Sequence, residues 1–175
     1  MKRLPILITA VALLACQSQE HSKTVVYRAP GELFSCRAPA RWRVLENLSP
    51  TSRALFFGPS GELIAVYFYP GRALNAEEAE LRAAQTVPKL GPLAAPLQRP
   101  WRQVEAYEFT IDTEQPDPHG AAPRARREKT LLLPAKSGYF SLVYSAPPAF
   151  FSASQPLFDE MVAGFMTPDG IRVGH

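Results

Sequence analysis

The chain has 175 residues, of which 46% are apolar and 20% are charged, and its formal net charge is +3 at pH 7. This length suits one domain, and the apolar fraction allows a core without disulfide bonds. Part of the positive charge lies at the start of the chain, since without Lys2 and Arg3 there are 17 basic and 16 acidic side chains. So even a balance gives no reason to predict nucleic-acid binding, and nucleic acid is not among the partners we expect.

Residues 1–15 are laid out like a secretory signal peptide. Lys2 and Arg3 supply a positive start, and a mostly apolar run from Leu4 to Ala15 follows. That run is too short to cross a bilayer, because a membrane-spanning helix needs about 20 residues. We therefore predict that residues 1–15 are a targeting segment that is cleaved from the mature chain.

The four residues Leu13-Leu14-Ala15-Cys16 resemble the lipobox of bacterial lipoproteins. In that family the cysteine becomes the first mature residue and carries the lipid, so the resemblance implies acylation of Cys16 and a membrane contact through the N-terminal lipid. Residues 16–24 would then tether the domain. Gln17, in place of an aspartate, implies delivery to the outer membrane, with the domain facing the periplasm. The alternative is that Cys16 is only the last residue of an uncleaved or differently cleaved signal.

The second cysteine, Cys36, has no intrachain partner if Cys16 is acylated. Phe34, Cys36 and Ala38 alternate with polar residues, which places Cys36 on the apolar side of a strand. We therefore predict a small buried side chain at this position. A thiol that bridges to another chain is the alternative.

The globular domain is predicted to span residues 25–168, followed by a tail at 169–175. Its first half alternates with a period of two, and turn signals rich in glycine and proline separate the runs. Strands are predicted at 25–29, 33–38, 42–45, 54–57 and 62–69. The last of these, ELIAVYFY, is apolar on both faces, so we predict that it is central and covered on each side.

After Pro70 the apolar pattern changes to the period of a helix. Asn75 is the predicted N-cap, Glu78 pairs with Arg82, and the helix runs from about residue 76 to residue 85. Prolines at 88, 92, 96 and 100 then exclude a helix and favour an extended crossing over the sheet edge. A proline-rich ligand motif is the alternative for that segment.

The second half of the domain predicts three more strands, at 102–113, 127–133 and 139–145. A closing helix is predicted in two pieces, a short turn at 149–152 and a helix that restarts at Ser154, because a helix tolerates proline only in its first turn. Five apolar residues form a stripe that is predicted to pack on the core: Leu157, Phe158, Met161, Val162 and Phe165.

The order of strands, helix, strands and closing helix predicts an α+β fold, with an antiparallel sheet covered by helices. Three stretches resemble the PsbP-like domains, which include DcrB-like bacterial lipoproteins: FSCRAPARWRV with Phe34, Pro39, Trp42 and Val44, then YFSLVYSAPPAFF, then FDEMVAGF with Phe158, Asp159, Met161 and Phe165. The resemblance spans about residues 25–166 and implies an α/β/α sandwich. It also implies a binding or assembly factor rather than an enzyme, since one branch of the family attaches to the oxygen-evolving complex and another to a small GTPase. No catalytic residue and no cofactor is implied.

Residue chemistry gives catalysis little support. The three histidines lie far apart in the sequence, at positions 21, 119 and 175, and suggest neither a triad nor a zinc site. One loop entrance gathers four possible cation ligands: Asp112, Glu114, Asp117 and His119. Their spacing is not that of a calcium loop, so we predict solvated acids and no metal. A metal-dependent hydrolase using the 112–119 loop is the alternative function.

Residues 114–129, EQPDPHGAAPRARREK, are predicted to form a long polar loop between two strands. Long loops on rigid sheets often carry binding functions. We therefore predict a candidate partner-binding loop with four cations: Arg124, Arg126, Arg127 and Lys129. A charged edge that discourages pairing between sheets is the alternative.

Taken with the leader, these features predict a membrane-anchored, non-catalytic binding or assembly module of the cell envelope, with an envelope protein as its partner. A purely structural envelope component is a further alternative.

Overall fold

The structure is a computed structural model that describes residues 24–85, 95–115 and 122–168. The signal segment, Cys16 and the tether before Thr24 lie outside the described residues, as do residues 86–94 and 116–121. The strands are β1 (Thr24–Arg28), β2 (Ser35–Pro39), β3 (Arg43–Glu46), β4 (Ser52–Phe57), β5 (Leu63–Pro70), β6 (Leu97–Trp101), β7 (Val104–Gln115), β8 (Arg124–Ala135) and β9 (Gly138–Ala146). The helices are α1 (Ala76–Gln85) and α2 (Pro148–Ala163).

Seven strands form one antiparallel sheet, in the order β3-β4-β5-β9-β8-β7-β6. The first two strands pair with each other, as predicted, but they form a separate two-stranded hairpin rather than the start of the main sheet. The predicted α+β fold with an antiparallel sheet is confirmed.

The two helices cover opposite faces of the main sheet. Along β9, Phe140, Leu142 and Tyr144 face the core that includes α2 and the β1-β2 hairpin, whereas Tyr139 faces the core that includes α1. This alternation follows from the two-residue period of a strand. We call these surfaces the α2 face and the α1 face; together with the helices they form the predicted α/β/α sandwich.

The α2 face carries a dense aromatic core. The Phe34 ring stacks on Phe165 with centroids 5.1 Å apart, and Phe140 contacts Phe34, Phe68 and Phe165 at 5.9, 4.7 and 5.1 Å. Aromatic pairs at such distances add to the gain from burying their area. Cys36 belongs to this core with 2% of its surface exposed, so its predicted burial is confirmed.

The shorter helix α1 is fixed to the other face through Glu78. The backbone N–H of Glu78 donates to Asn75 Oδ1 at 2.8 Å, which confirms the predicted N-cap. Its carboxylate accepts from Tyr139 Oη at 2.6 Å and from Arg82 Nε at 2.9 Å. Ala79 and Ala83 are fully buried, so the small side chains let the helix lie close to the sheet.

The closing helix α2 is one element, so the prediction of two pieces was wrong. It runs unbroken through Pro156. Proline removes one backbone hydrogen bond, but Ser152, four residues earlier, is exposed, so its carbonyl can bind water. Burial of apolar side chains on both sides of the proline outweighs the loss: Phe151, Phe158, Met161 and Val162. Phe165 is also buried but lies just beyond the helix end.

Two further differences from the predictions concern strands β6 and β5 of the main sheet. The described part of the proline segment includes strand β6, which pairs with β7 from Leu97 to Trp101, where we predicted only an extended crossing. Pro100 is tolerated because β6 is an edge strand. Strand β5 lies between β4 and β9, as its apolar pattern predicted, but on its second face only Ala65 is fully buried, and Leu63, Tyr67 and Tyr69 are half-buried.

Candidate binding site

The four predicted partner-binding cations lie in a strand, not in a loop. Strand β8 begins at Arg124 and pairs with β7 as far as Gln115, so the first two and the last six residues of the predicted loop lie in strands. The pairing of charged residues such as Asp112 with Arg127 extends both strands. Because neighbouring residues point to opposite faces, the four cations do not form one surface.

Arg126 is built into the sheet. Its Nε donates to Ser145 Oγ at 2.7 Å, and its Nη2 donates to the carbonyl oxygens of Ser145 at 2.8 Å and Gly61 at 2.9 Å. Burial lowers the pKa of Arg126, against the effect of nearby Glu128. These bonds tie β8 to β9 and to the turn before β5, so Arg126 has a structural role.

Two more of the four cations bind acids of this chain. Arg127 donates two hydrogen bonds to Asp112, at 2.7 and 3.0 Å, and the pKa of Asp112 is lowered by them. Lys129 Nζ lies 3.5 Å from Glu108 and 3.4 Å from Asp159. The prediction that these side chains contact a partner is untested, but their charges are largely balanced within the chain.

The described residues do not bring together the possible cation ligands that the sequence suggested. Asp117 and all three histidines lie outside that part, and within it no group of three or more His, Cys, Asp or Glu residues is placed to hold a metal ion. Burial raises the pKa of the Cys36 thiol to about 12, so it is protonated at neutral pH. The described residues therefore offer the hydrolase hypothesis no support.

A concave pocket of about 350 Å³ opens on the α1 face, beside α1. We call it the sheet-face pocket. Strands β5, β9 and β8 supply its floor through residues that are register neighbours, so the alternation of the sheet brings them to one surface. Its lining includes Ala65, Tyr67, Glu128, Thr130, Ser141 and Val143.

The sheet-face pocket mixes apolar and hydrogen-bonding groups. Glu128 Oε1 accepts from Ser145 Oγ at 3.0 Å, which holds the carboxylate at the pocket wall. Burial raises the pKa of the Tyr67 phenol, and the nearby Tyr69 and Glu128 add to that effect, so the phenol stays protonated and can donate a hydrogen bond. This lining suits reversible binding through hydrogen bonds and apolar contact.

Sequence reasoning did not single out Tyr67, Glu128 or Ser141 as site residues. The apolar pattern of ELIAVYFY suggested a strand covered on both faces, yet a helix of ten residues is only about 15 Å long. A sheet of seven strands is about 29 Å wide at the usual strand spacing. Comparing those two lengths is the signal that would have predicted an uncovered area.

A second depression of about 410 Å³ lies between the β1-β2 hairpin and the C-terminal end of α2. It is lined by Val26, Ser35, Arg37, Arg102, Glu160 and Met166, among others, and we call it the hairpin groove. A shallower depression of about 260 Å³ shares Ser35 and Met166 with it and adds Arg28 and Glu32. The hairpin groove lies in the layer of α2, on the opposite side of the sheet from the sheet-face pocket.

No family model matches this sequence, and no curated protein is similar to it in sequence. Solved structures are similar in fold. The solution structure of cyanobacterial PsbP (CyanoP) from Synechocystis sp. PCC 6803 gives a TM-score of 0.55 at 13% identity and covers 89% of this chain and 98% of that chain.

Two other similar structures come from different organisms. LpqN, which is involved in cell envelope biogenesis of Mycobacterium tuberculosis, gives a TM-score of 0.55 at 12% identity and covers 85% of this chain and 92% of that chain. The Saccharomyces cerevisiae Ran-binding protein Mog1p gives 0.54 at 10% identity and covers 83% and 96%. At such identities the likeness concerns the fold: this chain has the PsbP-like fold, as its sequence predicted.

Proposed function

We propose that this chain is a non-catalytic binding module of the cell envelope, anchored by lipid at Cys16 to the outer membrane and facing the periplasm. It binds an envelope partner at the sheet-face pocket. The observation that carries the binding role is the pocket of about 350 Å³ beside α1, whose lining mixes polar and apolar side chains.

The leader and the fold support this proposal. The leader with its lipobox-like sequence favours export and acylation. No helix in the described part of the chain is long and apolar enough to span a membrane. The fold is shared with LpqN, whose own role lies in envelope biogenesis, and with Mog1p, a Ran-binding protein.

The anchor is tested by metabolic labelling with an alkyne fatty acid, and the chain offers a matched control in its second cysteine. The wild type and Cys36→Ser should carry label and sediment with membranes, whereas Cys16→Ser should carry none. Labelling that survives in Cys16→Ser, or a wild-type chain whose mass includes residues 1–15 and no acyl group, would contradict the anchor.

The pocket is tested with the domain immobilised and exposed to a detergent extract of the envelope. Val143→Arg places a long cation on the pocket floor, whereas Leu97→Arg places the same side chain on the edge strand β6, where Leu97 is 71% exposed. We expect Val143→Arg to lose at least 90% of the envelope component that the wild type retains, and Leu97→Arg to keep it. Equal retention by both variants would refute the pocket as the binding site.

Partner contact by the cationic segment is kept as a narrower proposal. Arg124 and Arg127 are exposed, whereas Arg126 and Lys129 are only partly exposed. Replacing Arg124 and Arg127 together should then reduce partner retention without changing the fold, and unchanged retention would remove these residues from the partner surface.

A further inference from the structure

The described chain begins at the rim of the hairpin groove. Thr24 Oγ1 donates to Glu160 Oε1 at 2.9 Å, and Glu160 lines the groove. Residues 17–23 separate Cys16 from Thr24. Covalent geometry limits that connection to about 28 Å, at up to about 3.5 Å per residue. An acyl chain at Cys16 would therefore keep this end of the domain close to the bilayer.

Two exposed apolar side chains project at the groove. Val26 is 67% exposed and Met166 is 57% exposed. The frame is fixed because Met166 and Ser35 exchange two backbone hydrogen bonds of 2.8 Å each. Val26 pairs with Arg37 in the hairpin, so an apolar and a cationic side chain lie side by side.

Cations outnumber acids on this surface. Arg28, Arg37 and Arg102 line the hairpin groove and its shallower extension, against Glu32 and Glu160. The distance from Arg37 Nη1 to Glu160 Oε1 is 3.9 Å, which is long for an ion pair. The Arg37 side chain is 63% exposed, so much of its charge faces solvent.

Arg102 has an uncommon backbone conformation, and two contacts hold its side chain in place. Its φ of +55° is uncommon for a residue other than glycine. Its Nη2 donates to the carbonyl oxygen of Ala163 at 2.7 Å, and its guanidinium lies 4.4 Å from the Trp101 ring centroid. The bond to Ala163 satisfies a carbonyl at the end of α2 and positions the guanidinium at the groove.

We propose that the hairpin groove is a second membrane contact, which rests on a bilayer surface that contains anionic headgroups. Val26 and Met166 enter the interface, and Arg28, Arg37 and Arg102 attract the headgroup phosphates. The inference depends on the acyl anchor of the proposed function. It adds an orientation, because the sheet-face pocket on the other side of the sheet then faces away from the membrane and toward the periplasm.

The test uses the acylated chain reconstituted into vesicles, with one environment-sensitive fluorophore on an introduced cysteine. Acylation blocks Cys16 and burial protects Cys36, so the new thiol is labelled selectively. Labels at Val26→Cys and Met166→Cys should brighten and be quenched by lipid-borne quenchers on vesicles with phosphatidylglycerol, whereas a label at Leu97→Cys should not. Vesicles of phosphatidylcholine alone should give a smaller response, because they lack net negative charge.

Replacing Arg28 and Arg37 by Ser should lower the equilibrium constant for contact between the groove and anionic vesicles by about fivefold for each arginine. Equal quenching at positions 26 and 97 on anchored protein would overturn the proposed contact and leave the anchor intact. A chain without an acyl group would refute the anchor instead. In that case a chelating lipid and an N-terminal histidine tag replace the acyl chain, and the same comparison between positions 26 and 97 decides the groove.

Discussion

The two faces of the main sheet differ in how the described helices and hairpin cover them. On the α2 face, a sixteen-residue helix and the β1-β2 hairpin pack over a continuous aromatic core. On the α1 face, a ten-residue helix packs over a smaller core and leaves the sheet-face pocket beside it. Both faces belong to the same strands, so the difference lies in the covering layers.

The α2 face contributes mainly to stability, whereas the α1 face holds the proposed binding site. On the α2 face, Phe34, Phe140 and Phe165 are at most 2% exposed and carry no polar group, so they contribute through packing. On the α1 face, the polar side chains of Tyr67, Glu128 and Ser141 line the sheet-face pocket. Along β9, Phe140, Leu142 and Tyr144 therefore pack in the core of the α2 face, whereas Ser141 and Val143 line the sheet-face pocket.

The largest effect is expected from Phe140→Ala in β9. Phe140 contacts three other rings on the α2 face, so its loss removes buried area and leaves a cavity. We expect the free energy of unfolding to fall by about 3–5 kcal/mol. Chemical denaturation followed by circular dichroism measures it.

The matched control for that change is Val143→Ala, three residues further along β9 but on the α1 face at the pocket. We expect a loss of about 1 kcal/mol or less there, because Val143 is only partly buried. If the two substitutions lowered the free energy of unfolding equally, the proposal that the α2 face carries more of the stability than the α1 face would be wrong.

The next effect concerns the buried carboxylate of Glu62, which is 5% exposed. Its Oε2 accepts from the Ser60 backbone N–H at 2.8 Å, and its Oε1 accepts from Ser154 Oγ in α2 at 2.8 Å. Glu62→Ala leaves both donors without an acceptor, so we expect a loss of about 2–3 kcal/mol. Glu62→Gln keeps one acceptor and should lose less; an alanine variant as stable as the wild type would contradict this role.

Arg126 and Arg127 are adjacent in sequence but should differ in effect. Arg126→Ser removes three hydrogen bonds that join β8 to β9 and to Gly61, and we expect a loss of about 2 kcal/mol. Arg127→Ser removes an exposed ion pair with Asp112, so the loss should stay below about 1 kcal/mol. Thermal unfolding of both variants checks the order, and a reversed order would restore Arg126 as a free surface residue.

The smallest effect is a pH dependence at Glu78. Burial opposes its ionisation, but the hydrogen bonds from Tyr139 and Arg82 outweigh that and lower its pKa. The folded state thus binds the proton more weakly than the unfolded state, so the stabilisation is present above the unfolded pKa of about 4.3 and is lost as the pH falls through the lowered folded pKa.

Glu78→Gln should therefore cost about 1 kcal/mol at pH 7, and the difference from the wild type should shrink toward pH 3. Denaturation midpoints at both pH values measure it, with Glu80→Gln, an exposed change in the same helix, as the control. A difference that grows on acidification would show that Glu78 is not held in its ionised form.

Much of the fold follows from local patterns. Strands β5 and β9, the Asn75 cap and the burial of Cys36 were all predicted, because each depends on residues close in sequence. The continuity of α2 through Pro156 was not predicted. A proline inside a helix indicates a break unless the burial of Phe151 and Phe158 is known. That burial depends on the sheet and is not a local property.

The binding surfaces were harder to predict for the same reason. A run of charges between prolines reads as a loop, whereas Arg126 and Arg127 lie in β8, and only the register shows that they face opposite sides. The sheet-face pocket depends on how much of the sheet α1 covers. The length of α1 and the number of strands can be predicted from the sequence, but the position of α1 on the sheet cannot.

Site-specific photo-crosslinking in intact cells tests the central claim most directly. A photoreactive amino acid at Tyr67, on the floor of the sheet-face pocket, is compared with one at Leu97, on the exposed edge strand β6. We predict one discrete envelope adduct from position 67, lost when Val143→Arg fills the pocket, and no such adduct from position 97. The same adduct from both positions, or an adduct from position 67 that persists with Val143→Arg, would contradict the account.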